Sequence, residues 1–238
     1  MTNNEHHRRP LSHGADVNAR DNCLACHREI SGRHVIVDDT DHYCVRCGAL
    51  ERGTDVNVRN DYGNTPFHEA CRFGHPDIVR LLLEKGAKVN ARRKDDGHTP
   101  LHEACMHGHV DAASLLIEKG AKVNAKNTWG ATPFHAACAT GELDLARLLL
   151  EHGADLESRT DADITALHWA CMYGHPDIVR LLIEKGADVN ARDEAGRSPL
   201  DLALELPTDN PAREEILDLF RQYAPEQVME AYCTQEAI

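Results

Sequence analysis

Cysteine and histidine are the residues of this chain best suited to chemistry, and their spacing sorts them into two groups. The first is a pair of CxxC steps: Cys23-x2-Cys26 is followed, after 17 residues, by Cys44-x2-Cys47. A CxxC turn aims two sulfurs at one point, while backbone N–H groups stabilise the thiolates. Two such turns complete a tetrahedron around a borderline-soft metal. The spacing predicts a Zn2+ ion held by Cys23, Cys26, Cys44 and Cys47. Four protein ligands leave no open coordination position, so the expected zinc is structural rather than catalytic. A set in which His27 or His42 replaces one cysteine stays open, as do four metal-free thiols. A redox dithiol fits less well, because two matched CxxC pairs suit one metal better than one active pair.

The second group is repetitive. Residues 65–71 read TPFHEAC, 99–105 read TPLHEAC, 132–138 read TPFHAAC and 165–171 read TALHWAC. A worn copy, SPLDLAL, occupies 198–204, and the first letters are 34, 33, 33 and 33 residues apart. His68, His102, His135 and His168 recur at one place, as do Cys71, Cys105, Cys138 and Cys171. Equivalent residues of stacked units lie about one helix-packing distance apart, roughly 10 Å, too far for two histidines to share a metal. These histidines are expected to be structural, and the cysteines to be small buried packing residues. His75, His109 and His175 follow a glycine between helices and read as helix-entry residues. No Ser-His-Asp or Cys-His arrangement stands outside the repetition, so no catalytic residue and no enzyme is expected.

The elements that position these residues follow from the same phrase. Thr65 before Pro66 fits an N-cap followed by proline at the first helical position. Phe67, Ala70 and Cys71 form the buried side of a first helix over about 66–73, which Gly74 ends. Pro76 and Asp77 open a second helix to about residue 85, whose Ile78, Val79, Leu81 and Leu82 recur at helical spacing. Gly86 closes it, and an extended V-N-x-R stretch leads to a projecting turn at 60–63. The emerging unit, with T-P-L-H-x-A near its start, resembles the ankyrin repeat over roughly two thirds of the chain. That resemblance implies an all-α repeat solenoid of helix-turn-helix units with β-hairpin tips. It also implies that the histidine bonds the threonine three residues earlier and neighbouring backbone, and that tips and first helices line a concave binding face.

The N-terminal stretch departs from this rhythm. Residues 11–22, LSHGADVNARDN, match the end of a later unit, so the chain opens partway through a repeat. The related GADVNAR and GTDVNVR segments begin 39 residues apart, not 33, and the cysteine stretch lies between them. His34 to Val37 reads as a strand, residues 38–41 as a turn and His42-Tyr43 as the returning strand. Residues 48–52 are expected as a short helix. The stretch resembles a zinc ribbon or treble-clef finger, a small β-rich zinc-binding module at the N-terminal end. The expected divisions are a terminus with a partial repeat (1–21), the zinc module (22–52), repeats (53–204, units starting near 60, 94, 127, 160 and 193) and a capping helix with a tail (205–238). The zinc module is expected to take the place of one helix pair and cap the stack.

Two units carry irregularities. Residues 92–97, RRKDDG, hold one extra residue and lengthen that tip. In the fourth unit Asp163 stands where the turn glycine belongs and Ala166 where the proline belongs, so the tip at 160–164 is expected to deviate.

Function should lie where the units differ. The candidate partner-binding residues are Tyr62, Arg72 and Phe73 in the first unit, and Asp96, Met106 and His107 in the second. Trp129 comes from the third; Ile164, Trp169, Met172 and Tyr173 come from the fourth. Asn64, Glu69, His98 and Glu103 fall on the same face. The chain has eleven aromatic residues, and both tryptophans are among these candidates. Aromatic and arginine anchors are what protein interfaces use as hot spots. The net charge of −13 argues against general nucleic-acid binding. Residues 205–238 hold eight acids against two bases, and the cysteine stretch over 20–52 has five arginines against six acids. A nucleic-acid-associated regulator using the zinc module is therefore the second reading. The first is a monomeric protein-binding adaptor. No apolar run approaches the ~20 residues of a membrane span, the start lacks the apolar core of a secretory signal, and nine cysteines in this arrangement suit a reducing compartment. The expected location is cytoplasmic.

Overall fold

The computed structural model of the chain describes residues 34–36, 42–44, 49–50, 56–57, 59–60 and 62–226. Five helix pairs follow one another: α1 (Pro66–Arg72) with α2 (Pro76–Glu84), α3 (Pro100–Met106) with α4 (Val110–Glu118), α5 (Pro133–Thr140) with α6 (Leu143–Glu151), α7 (Ala166–Tyr173) with α8 (Pro176–Glu184), and α9 (Pro199–Leu204) with α10 (Pro211–Tyr223). The first helices pack on one another in sequence and the second helices form a parallel outer row. This is a solenoid, in which each unit borrows part of its core from its neighbours.

The phrase explains each start. Thr65, Thr99, Thr132, Thr165 and Ser198 hold extended backbone at the N-cap, and proline follows in all but the fourth. The alanines at 70, 104, 137, 170 and 203 are fully buried, as are the four repeat cysteines. Side chains this small let adjacent first helices approach closely. Leu82, Leu116, Leu149 and Leu182 fill the space between rows, one per unit and all fully buried. Each contributes about 1.5–3 kcal/mol of burial, which no unit realises alone. In the last pair, Asn210 caps α10 by accepting from the Ala212 N–H at 3.0 Å, so that helix begins at Pro211.

The tips correct one expectation. No strand occurs among the described residues from 56 to 226, so the tips are turns, not β-hairpins. Each turn closes on itself: Asn127 N–H donates to the Ala131 carbonyl at 2.8 Å and Gly130 N–H to the Asn127 carbonyl at 3.3 Å. The remaining backbone groups pair with the next tip instead of a returning strand. Thr128 N–H donates to the Asp96 carbonyl at 2.9 Å, Asp161 N–H to the Trp129 carbonyl at 3.0 Å and Glu194 N–H to the Ala162 carbonyl at 3.1 Å.

The tip at 160–164 corrects another. It keeps the shape of its neighbours: Thr160 N–H reaches the Ile164 carbonyl at 3.0 Å and Asp163 N–H the Thr160 carbonyl at 3.0 Å. Asp163 accomplishes this with φ of 57°, the one described non-glycine residue at positive φ. Aspartate tolerates that region better than most residues, so the turn absorbs strain instead of changing form.

Nearer the N-terminus, β1 (His34–Ile36), β2 (His42–Cys44) and β3 (Ala49–Leu50) form an antiparallel sheet in that order. His34 pairs with Cys44, and Cys44 with Ala49. Residues 49–50 are thus strand, where a short helix was expected over 48–52, because their backbone pairs with β2. Cys23, Cys26 and Cys47, residues 1–21 and the tail from 227 lie outside the described residues.

Candidate functional site

The repeated histidines come first, because their position looks like chemistry. Thr65 N–H donates to His68 Nδ1 at 3.2 Å. A backbone N–H can only donate, so Nδ1 is an acceptor and the ring proton sits on Nε2. That proton reaches the carbonyls of Ala91 at 3.0 Å and His98 at 3.2 Å, in the next unit. His102 and His168 repeat the arrangement, reaching Ala131 and Arg197 carbonyls at 3.1 Å each. His135 Nε2 lacks a partner of good geometry, although the Ile164 and Ser158 carbonyls still favour its charged form. Burial pulls His68, His102 and His135 down to about 4, and lowers His168 as well. At His68, His102 and His168 neutral rings bonded through both nitrogens staple one unit to the next. Burial also pushes the four repeat thiols well up, so they stay protonated and inert. Among the described residues no group of three or more His, Cys, Asp or Glu side chains could hold a metal ion.

What faces outward lies between the tips and the first helices. Trp129, on the third tip, is 58% exposed and meets the His98 ring edge-on at 6.0 Å. Trp169, half-buried on α7, meets His135 at 6.2 Å and Tyr173 at 6.2 Å. Tyr173 and Tyr62 are exposed, and Phe73 is partly so with the Arg72 guanidinium 5.9 Å from its ring centre. Met106 and Met172 are half-buried against the core. Ile164 is half-buried, its N–H held by Thr160 Oγ1 at 3.1 Å. The sequence candidates in the repeats therefore divide: aromatic side chains on units one, three and four, and a charged group on unit two.

The charged group centres on Glu103. Its Oε1 accepts from Arg93 Nη1 at 2.9 Å and lies 3.2 Å from His98 Nδ1, while His107 Nε2 stands 3.9 Å from Oε2. Burial alone would raise this carboxyl; the His98 and Arg93 bonds outweigh it and hold it at about 2. Burial also lowers His107. Asp96 braces the same tip, its Oδ1 accepting from the His98 N–H at 3.0 Å and lying 3.4 Å from Arg93 Nε. The extra residue in this tip explains the cluster. Arg93 takes the turn-opening place that Asn60 and Asn127 hold elsewhere, and Asp96 takes over the capping that their side chains perform. Arg93 joined to Glu103 was not foreseen from sequence. The lengthened, Arg-rich tip was its signal.

Comparison with known proteins now bears on the stack. The family described as ankyrin repeats, three copies, matches residues 34–127, 125–193 and 155–219, well over half of the chain. The chain belongs to the ankyrin-repeat family. Its first match begins at residue 34, inside the cysteine-bearing stretch. Similar curated proteins include a putative ankyrin repeat protein, FPV233, of fowlpox virus, 46% identical over 44 residues, 18% of this chain and 9% of that protein. The E3 ubiquitin-protein ligase XB3 of Oryza sativa is 58% identical over 36 residues, 15% of this chain and 8% of that protein. Human protein fem-1 homolog C is 48% identical over 42 residues, 18% of this chain and 7% of that protein. The matches thus span less than a tenth of each of these relatives. Ankyrin repeats are generally protein–protein interaction units. No helix among the described residues is long and apolar enough to cross a membrane.

Proposed function

We propose that this ankyrin-repeat chain is a non-enzymatic scaffold that holds a partner protein on the face lined by its tips and first helices. One observation carries the reading. Among the described residues, Tyr62, Phe73, Trp129, Tyr173 and Tyr223 are the exposed large hydrophobic side chains, and all but Tyr223 belong to that face. Apolar rings cost free energy in water unless something covers them, and interfaces concentrate them at hot spots. The Trp129/Trp169 end is the expected anchor, because those rings are already braced by His98 and His135. A pull-down compares wild type with Trp129→Ala/Trp169→Ala. The double variant should lose the captured partner while keeping its helical signal. Retention of every partner would remove the assignment.

The same proposal gives the N-terminal cysteines a structural Zn2+. Its support is the spacing of Cys23, Cys26, Cys44 and Cys47, and the antiparallel pairing of β1 and β2 between the two CxxC steps. Metal analysis of the purified full chain should find one zinc, lost on Cys23→Ser/Cys26→Ser. A metal-free chain under reducing conditions would remove it.

A further inference from the structure

Glu69 and Glu103 are the fifth letters of consecutive phrases, and they are the same residue in neighbouring copies of one structural position. Both are buried, at 7% and 2% exposure. Their surroundings differ sharply. Glu103 has an arginine and two histidines within 4 Å. Glu69 has a single hydrogen-bond donor among the described residues, the Asn64 amide, and no cation within ion-pair distance.

The local sequence explains the contrast. Asn60 stands where Arg93 stands one unit later, opening its turn with the bond from Asn60 N–H to the Asn64 carbonyl. Asn64 stands where His98 stands. Arg93 and His98, the two partners that serve Glu103, therefore have no counterpart in the first unit. Arg72, one turn beyond Glu69, lies over the Phe73 ring instead. Asn64 is 4% exposed, and its Oδ1 is buried with no hydrogen-bond partner among the described residues. The spot thus holds a carboxylate and a carbonyl oxygen short of donors. Burial pushes the Glu69 carboxyl up, more than the distant Arg72 charge and the Asn64 bond pull it down, whereas the equivalent Glu103 is held low by its hydrogen bonds to His98 and Arg93. Phe73, 40% exposed, and Tyr62, 68% exposed, belong to the same unit and offer ring surface to an aliphatic stem or a cation.

We propose that Glu69 receives a basic side chain, lysine or arginine, from the protein segment held on this face. The proposal rests on the binding-face reading above and names the chemistry of the partner. The incoming cation supplies to Glu69 what Arg93 supplies to Glu103. A neutral or acidic residue covering the same place leaves a carboxylate more desolvated and still unpaired, which selects against it. The net charge of −13 adds long-range attraction for a basic segment.

The test is selection of random octapeptides displayed on phage against the immobilised full chain, followed by affinity measurement with synthetic peptides. The selected pool should carry Lys or Arg at a fixed distance from an apolar residue. Replacing that basic residue with norleucine should weaken binding by about 10- to 100-fold, the range of a charge-assisted hydrogen bond. In Glu69→Gln, which keeps the shape and an acceptor for the Asn64 amide, the basic and norleucine peptides should bind alike. Trp129→Ala should weaken both peptides while the discrimination between them persists. A pool without basic preference, or discrimination that survives Glu69→Gln, overturns the assignment of Glu69 and leaves the binding face standing. Failure to select any peptide overturns both.

Discussion

Acid should loosen this stack well before it protonates ordinary carboxylates, because of the repeated histidines. His68, His102 and His135 are held at about 4 by burial, against an ordinary 6.5. Their neutral form is the structural one: Nδ1 must accept from the threonine N–H, and a protonated ring would present a donor to a donor. A base whose folded pKa is depressed protonates first in the unfolded chain. Below about 6.5 the unfolded state therefore binds more protons, and stability falls with pH until about 4, where the folded rings titrate too. Between about pH 7.5 and about 5.5 each ring costs about 1.3 kcal/mol, so the three cost roughly 4 kcal/mol. His168 acts in the same direction. His107, also lowered by burial, adds to it, and Glu69, raised by burial, acts oppositely as one group against five. Urea unfolding followed by circular dichroism at several pH values measures the drop. His102→Gln should reduce it by about a third, and imidazole nitrogen shifts at neutral pH should show Nε2 protonated. Stability that is flat or rising from about 7.5 to about 5.5, with unfolding still cooperative, refutes the reasoning.

Three further outcomes follow from the backbone. Asp163→Gly should raise stability by about 1 kcal/mol, seen as a higher melting temperature, by relieving the positive φ without altering the turn. Gly74→Ala should cost clearly more than Gly186→Ala in the same assay. Both have positive φ, but a Cβ at 74 would lie 2.3 Å from His109 Nδ1, whereas none at 186 meets anything within 4 Å. Glu157→Asn should stabilise by about 0.5–1 kcal/mol. Asn57, Asn90 and Asn124 each accept from the next unit's N–H and donate to the glycine carbonyl at 86, 120 or 153; Glu157 accepts from Asp188 N–H at 2.9 Å but has nothing to donate.

Much of the stack was legible because the phrase encodes local physics. Thr-Pro sets a helix start, His staples it to the next unit, and Ala and Cys set the packing distance. The tip at 160–164 was misjudged for a physical reason. The missing glycine was correctly seen as costly, but the ladder of bonds from Asp161 to Trp129 and from Glu194 to Ala162 holds the turn in shape against that cost. The tips were expected as hairpins, and they turn out to be turns whose spare backbone groups pair sideways between units. The polar cluster was hidden because Arg93 and Glu103 are ten residues apart and meet only through a lengthened turn. Glu69 and Glu103 look identical in sequence, and only their surroundings separate a carboxylate paired with an arginine from one held by a single amide.

The central claim is that a partner sits on the tips and first helices. Hydrogen–deuterium exchange of the full chain, with and without a captured partner or a selected peptide, tests it directly. The account predicts added protection at the tips over 59–64, 93–98, 127–131 and 160–164 and along α1, α3, α5 and α7. Protection confined to the outer helices α2, α4, α6 and α8, with the tips unchanged, would contradict it.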